Sequence, residues 1–205
     1  MSLITISLVG AGVFGYLYGG TSSSSASSSG NNDYSSLKSR VDALNLQVKS
    51  NSNDIPLQQD LGNAYYDLAS AAQKNAPNEV QEDYNQAVKY YQKTLKAKKD
   101  INVLTDMATA AFYGGQNDLA DTSFKEALAE KPDFQPALFN YGIFLSNVKQ
   151  DYPTAIRMWQ TVLDKDPNGS NADQLKQLIS QAKNMQTSQR STYNPSANTP
   201  STKTP

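Results

Sequence analysis

The chain has 205 residues, a formal net charge of −1 from 18 basic and 19 acidic side chains, and neither Cys nor His. That balance supplies no field for nucleic acid. The missing residue types exclude disulfides, thiolate or imidazole metal sites, and any catalysis that turns on an imidazole base.

In chain order, the first feature is an uncharged apolar run from Leu3 to Tyr18, LITISLVGAGVFGYLY. With Met1, Ser2, Gly19 and Gly20 it reaches about 30 Å as a helix, the thickness of a hydrocarbon core, so residues 1–20 are expected to anchor the chain in a membrane. No Lys or Arg precedes Lys38, so the basic head of a cleaved secretory signal is missing and a retained anchor is preferred over cleavage. Gly15 and Gly19 form a G-x-x-x-G pair through which two such helices can associate. Residues 21–33, TSSSSASSSGNND, read as a polar tether, since nothing there offsets the entropy of ordering.

A folded domain is expected over residues 34–185. Leu37, Val41, Leu44 and Val48 recur at helical spacing and predict a helix that packs on the domain C-terminal to it. DLGNAYYDLA, with Leu61, Gly62 and Tyr65, and NQAVKYYQKTL, with Ala87 and Tyr91, predict two helices broken at Ala76-Pro77-Asn78. Ile101 to Phe134 is a stretch of about 34 residues whose apolar and small positions are Leu104, Met107, Ala108, Gly115, Ala120, Phe124, Ala127 and Pro132. Gln135 to Asn168 repeats the scheme with Leu138, Tyr141, Gly142, Leu145, Ala155, Trp159, Val162 and Pro167, and carries an extra residue in its turn near Asp151 to Pro153. Leu175, Leu178, Ile179 and Ala182 predict a closing amphipathic helix over 169–185. Residues 186–205, rich in Ser, Thr, Asn and Pro, are expected to be disordered.

These spacings resemble the tetratricopeptide repeat (TPR) family, with units at about 55–100, 101–134 and 135–168. The first unit departs from the pattern by an insertion covering roughly SAAQKNAPNEVQE. The chain as a whole resembles bacterial membrane-anchored TPR proteins. The resemblance implies an all-α solenoid of about three helical hairpins with N- and C-terminal capping helices, preceded by the anchor helix, and no cofactor, metal or catalysis. It also implies a groove for a protein partner lined by Gln59, Asn63, Tyr66, Thr105, Thr109, Phe112, Tyr113, Phe139, Ile143 and Ser146, a surface that is aromatic and uncharged.

Some members grip a peptide carboxylate with Lys, Arg and Asn. Here Asn63 and Asn140 stand at two such places, but Gln59, Asp106 and Pro136 occupy others, so that use is not expected. Phe112 and Tyr113 are adjacent, about 100° apart on a helix, and are not expected to share one contact. Paired carboxylates among Asp60, Asp67 and Asp106 read as solubilising rather than catalytic. The expected function is a membrane-tethered scaffold that helps assemble an exported or membrane complex, its repeats outside the cytoplasm. The alternative is a permanent structural subunit of a membrane or extracellular assembly.

Overall fold

The computed structural model describes residues 30–193, and side chains from 34 to 190. The expected anchor, the Gly15 and Gly19 pair and most of the tether lie outside the described residues. Among those described, no helix is long and apolar enough to cross a membrane.

All the regular structure described is helical. The elements are α1 (Gly30–Ser50), α2 (Ile55–Asn75), α3 (Val80–Ala97), α4 (Ile101–Tyr113), α5 (Asn117–Glu130), α6 (Gln135–Phe144), a π-helical turn (Leu145–Lys149), α7 (Tyr152–Lys165) and α8 (Ala172–Tyr193). They form two compact units, the first ending at Glu130 and the second starting at Lys131, where the sequence suggested one continuous domain.

In the first unit each helix packs on the next, α1 on α2, α2 on α3, α3 on α4 and α4 on α5. Val41 and Val48 of α1 are buried with Leu61, Ala64 and Leu68 of α2, while Leu37 and Leu44 pack beside them. This is the predicted N-terminal cap, although its helix already starts at Gly30, inside the expected tether. The insertion in the first hairpin lengthens both of its helices, α2 to 21 residues and α3 to 18, against 13 and 14 in α4 and α5. The break falls at Ala76 and Pro77, where the proline ring cannot continue the helix.

Capping fixes where α4 begins and ends. The Asp100 carboxylate accepts from the Asn102 and Val103 N–H groups at 2.8 and 3.4 Å, satisfying donors that a helix start leaves over. At the other end Gly115 sits at φ +78°, and the Gln116 N–H donates to the Ala111 carbonyl at 2.7 Å. That left-handed closure needs a residue without a Cβ. Ala108 and Ala120 are fully buried between α4 and α5, and Phe124 is fully buried beside them.

In the second unit α6 packs on α7 and α7 on α8. Trp159 of α7 is 1% exposed and lies over Gly142 of α6, where an added Cβ would stand 2.4 Å from its Nε1. The extra residue of this repeat is taken up earlier than expected. The turn Leu145–Lys149 is π-helical, a winding that holds one more residue per hydrogen-bonded ring than the α-helix. Gln150 then turns the chain through the left-handed region at φ 54°. Leu175, Ile179 and Ala182 of α8 are buried, as a closing helix requires. That helix continues past Met185 to Tyr193, so the disorder expected from Gln186 onward does not begin there; Gln186 to Arg190 hold no Pro or Gly to stop a helix already started.

Candidate partner-binding face

The first helices of the two hairpins in the first unit, α2 and α4, carry most of the residues expected to meet a partner. Tyr65 and Tyr66 are neighbours in sequence and therefore diverge. Tyr65 stacks on Tyr90 with centroids 5.9 Å apart, whereas Tyr66 turns its ring edge-on to Tyr84 of α3 at 5.4 Å. Tyr84, itself buried, stacks on Tyr113 at 5.3 Å, and Tyr113 lies 4.6 Å from Phe112. Four rings thus form a ladder from α2 through α3 to the end of α4. Tyr66, Phe112 and Tyr113 remain half-buried at its ends. The Tyr84 hydroxyl shares a hydrogen bond with Ser70 Oγ at 3.1 Å, which fixes the middle rung.

The expectation that Phe112 and Tyr113 could not meet in one contact is overturned. Their backbones diverge by about 100°, but both are large enough for the rings to fold together, at an interplanar angle of 34°. Burial raises the phenol pKa values of Tyr66 and Tyr113, with neighbouring tyrosines adding to it and Asp106 adding further at Tyr66. These phenols stay neutral, and what they contribute to the face is ring surface.

Asp106 adds a charge that the sequence reading left out of the face. Its carboxyl is pushed up to about 7, first by burial and then by the fields of Asp100 and Asp67. Asp67 has a cation, Arg40 of α1, at 3.2 Å. Asp106 has no ion pair or hydrogen bond among the described residues. Helical register was the signal that could have found it, because Asp106 precedes Thr109 and Tyr113 by one and two turns and shares their side of α4.

Several expected groove residues lie beneath the surface instead. Thr105 and Thr109 are each 1% exposed, and their hydroxyls donate back to the Ile101 and Thr105 carbonyls at 2.8 and 2.9 Å. A hydroxyl satisfied by its own helix can be buried without loss, so both support the face rather than line it. Asn63 is half-buried and accepts from the Tyr91 hydroxyl at 3.0 Å. Gln59 is half-buried at the start of α2.

On the second unit Phe139 is 2% exposed, a core residue whose carbonyl accepts the Trp159 indole N–H at 3.1 Å. Asn140 is buried, and its Oδ1 has no hydrogen-bond partner among the described residues. Ile143 and Ser146 are half-buried, Ser146 within the π-helical turn. Among the described residues there is no group of three acidic or metal-ligating side chains able to hold a metal.

Three comparisons bear on kinship. No curated protein matches the sequence. The crystal structure of MamA superposes with a TM-score of 0.53 at 12% identity, covering 81% of this chain and 99% of that one, a likeness of fold. Residues 68–193 match the family described as the cilia and flagella-associated protein 70 middle TPR-like domain. Because that match spans more than half of the 205 residues, the chain belongs to this TPR-like family and is a protein-interaction scaffold.

Proposed function

We propose that this chain is a membrane-tethered TPR scaffold that captures a protein segment on the face formed by α2 and α4, catalyses nothing itself, and holds its partner during assembly of an exported or membrane complex. The observation that carries the reading is the ring ladder from Tyr66 to Phe112, whose ends stay half-exposed while its centre is buried. Rigid aromatic groups backed by a packed core are what anchors at protein interfaces consist of.

Gln59, Asn63, Tyr66, Phe112 and Tyr113 are the proposed contacts on the first unit, with Thr105 and Thr109 behind them. Ile143 and Ser146 are proposed contacts of the second unit, and Phe139 supports them. The apolar run Leu3 to Tyr18 supports tethering, and the Ser-rich stretch after it, in a chain without Cys, supports a domain held outside the cytoplasm.

The test is a pull-down of the full chain in mild detergent, read by mass spectrometry. Replacing Phe112 and Tyr113 together by Ala should weaken capture by at least about 1–2 kcal/mol. If that pair is neutral while changes within Leu3 to Tyr18 release the partner, the chain is instead a permanent structural subunit. Ser25→Cys in this Cys-free chain tests the location, since an impermeant maleimide should label it in intact cells; labelling only after lysis would reverse the assignment.

A further inference from the structure

The scaffold reading leaves Asp106 without a purpose. It is the one charged residue of α4, and it stands on the side of that helix that leads to the ladder. The Tyr66 phenol feels its charge. Tyr113 lies two turns beyond Asp106 on the same side of α4. Four acidic groups of this unit have cations of their own, Asp67 with Arg40, Glu79 with Lys38, Asp121 with Lys125 and Glu126 with Lys99, and Asp83, whose Oδ2 also has no partner among the described residues, lies on α3 outside the ladder's rings. α2 adds Asp60 and Asp67 to the same pair of helices, and its one cation, Lys74, lies in the last turn. A half-buried carboxylate without a partner is costly, and an incoming cation would relieve that cost.

We infer that Asp106, on the side of α4 that carries Tyr113 and leads to the ring ladder, receives a Lys or Arg side chain from the bound protein segment. This rests on the scaffold reading above and names the chemistry of its partner. The carboxylate neutralises the incoming charge, and the neighbouring phenyl faces hold a cation that comes within about 6 Å of their centroids. The chain uses the same contact elsewhere, with Lys93 Nζ 5.0 Å from the Tyr90 ring centroid. The face is therefore selective for a basic side chain, in place of the uncharged recognition that the sequence alone suggested. Affinity should rise with pH as the Asp106 carboxyl ionises near its value of about 7. Asp100, Asp67 with its partner Arg40, and the phenol of Tyr66 are the other titratable or charged groups around it.

The experiment uses a displayed library of random linear peptides selected on the full chain. Enriched peptides should share a Lys or Arg, and binding should protect α2 and α4 from hydrogen exchange. Changing that residue to Gln should weaken binding about tenfold or more, and Asp106→Asn should do the same. The two changes together should cost no more than either alone, because they remove one contact. Asp42→Asn, on the exposed side of α1, should leave binding unchanged. Peptides that protect α2 and α4 but carry no basic residue, or ignore Asp106→Asn, would overturn this inference and leave the scaffold reading standing. Failure to select any peptide that protects α2 and α4 would remove both.

Discussion

The hairpins α2/α3 and α6/α7 are built on one joint and put it to different uses. In each, a glycine of the first helix lies under a ring of the second, Gly62 under Tyr91 and Gly142 under Trp159. In each, the polar atom of that ring is tied back to the first helix, Tyr91 to Asn63 Oδ1 at 3.0 Å and Trp159 to the Phe139 carbonyl at 3.1 Å. Around this common joint the second hairpin buries its aromatics, with Phe139, Tyr141 and Phe144 all nearly inaccessible. The first unit leaves Tyr66, Phe112 and Tyr113 half-buried and sets an unpaired carboxylate, Asp106, on the same side of α4 as Tyr113. A shared packing motif therefore says little about use; the surface its rings leave exposed says more.

The largest expected effect comes from removing the second joint outright. Trp159→Ala deletes the bulkiest fully buried side chain and should lower stability by about 3–5 kcal/mol in denaturant titration. A loss below about 1 kcal/mol would mean that the indole is not the keystone of its hairpin. Next come the paired glycines. At Gly142 an added Cβ meets the indole at 2.4 Å, and that ring has no room to retreat, so Gly142→Ala should cost about 1–3 kcal/mol. At Gly62 the closest Tyr91 atoms stand at 3.0 Å, and a helical Ala gains up to about 1 kcal/mol in propensity. Gly62→Ala should therefore come out near neutral. Equal costs at the two glycines would show that the joints are equally tight and end the distinction between them.

Much of the fold was legible in residue spacing, because repeats announce their packing positions. Gly115, Ala108, Ala120, Phe124 and Trp159 each do what the repeat requires of them. The candidate face was less legible, for reasons that are local. Thr105 and Thr109 looked like polar surface because a sequence does not show that their hydroxyls bond within their own helix. Phe139 looked like groove because its register resembles that of the surface positions, yet it is core. Tyr84, the middle rung of the ladder, comes from a second helix, and no pattern along the first helices could reveal it.

Asp106→Asn tests whether the first unit gives up stability for its face. The Asp106 carboxyl lies at about 7 in the folded chain against an ordinary 3.8, so between those values the native state holds a proton that the unfolded state has lost. Stability must then fall as pH rises through that window. Asp83, raised to about 6 chiefly by burial, adds a fall of the same sign over a narrower range. Asn at 106 has no charge to bury, so the variant should be more stable than the parent at pH 8 by about 1–2 kcal/mol, less than the full shift implies because water reaches part of the group. Near pH 4 the two should be alike. A variant no more stable at pH 8 would show that Asp106 is well solvated, and the contrast between the two units would lose its electrostatic half.

The smallest effect belongs to the second hairpin's turn. Gln150 sits at φ 54° and ψ 27°, in the left-handed region, immediately after the π-helical turn. A residue with a Cβ loses about 1 kcal/mol there, and glycine does not. The first unit solves the equivalent problem with Gly115 at φ 78°. Gln150→Gly should therefore stabilise the chain, by less than about 1 kcal/mol because glycine also gives the unfolded chain more freedom. Gln189 Nε2 donates to Gln150 Oε1 at 3.2 Å on an exposed surface, and losing that bond offsets little. Ala at the same position removes the bond but keeps the Cβ, so it should match the parent or fall slightly below it. If Gly and Ala proved alike, the left-handed turn would carry no strain, and the two units would close their first helices at equal cost despite using different residues.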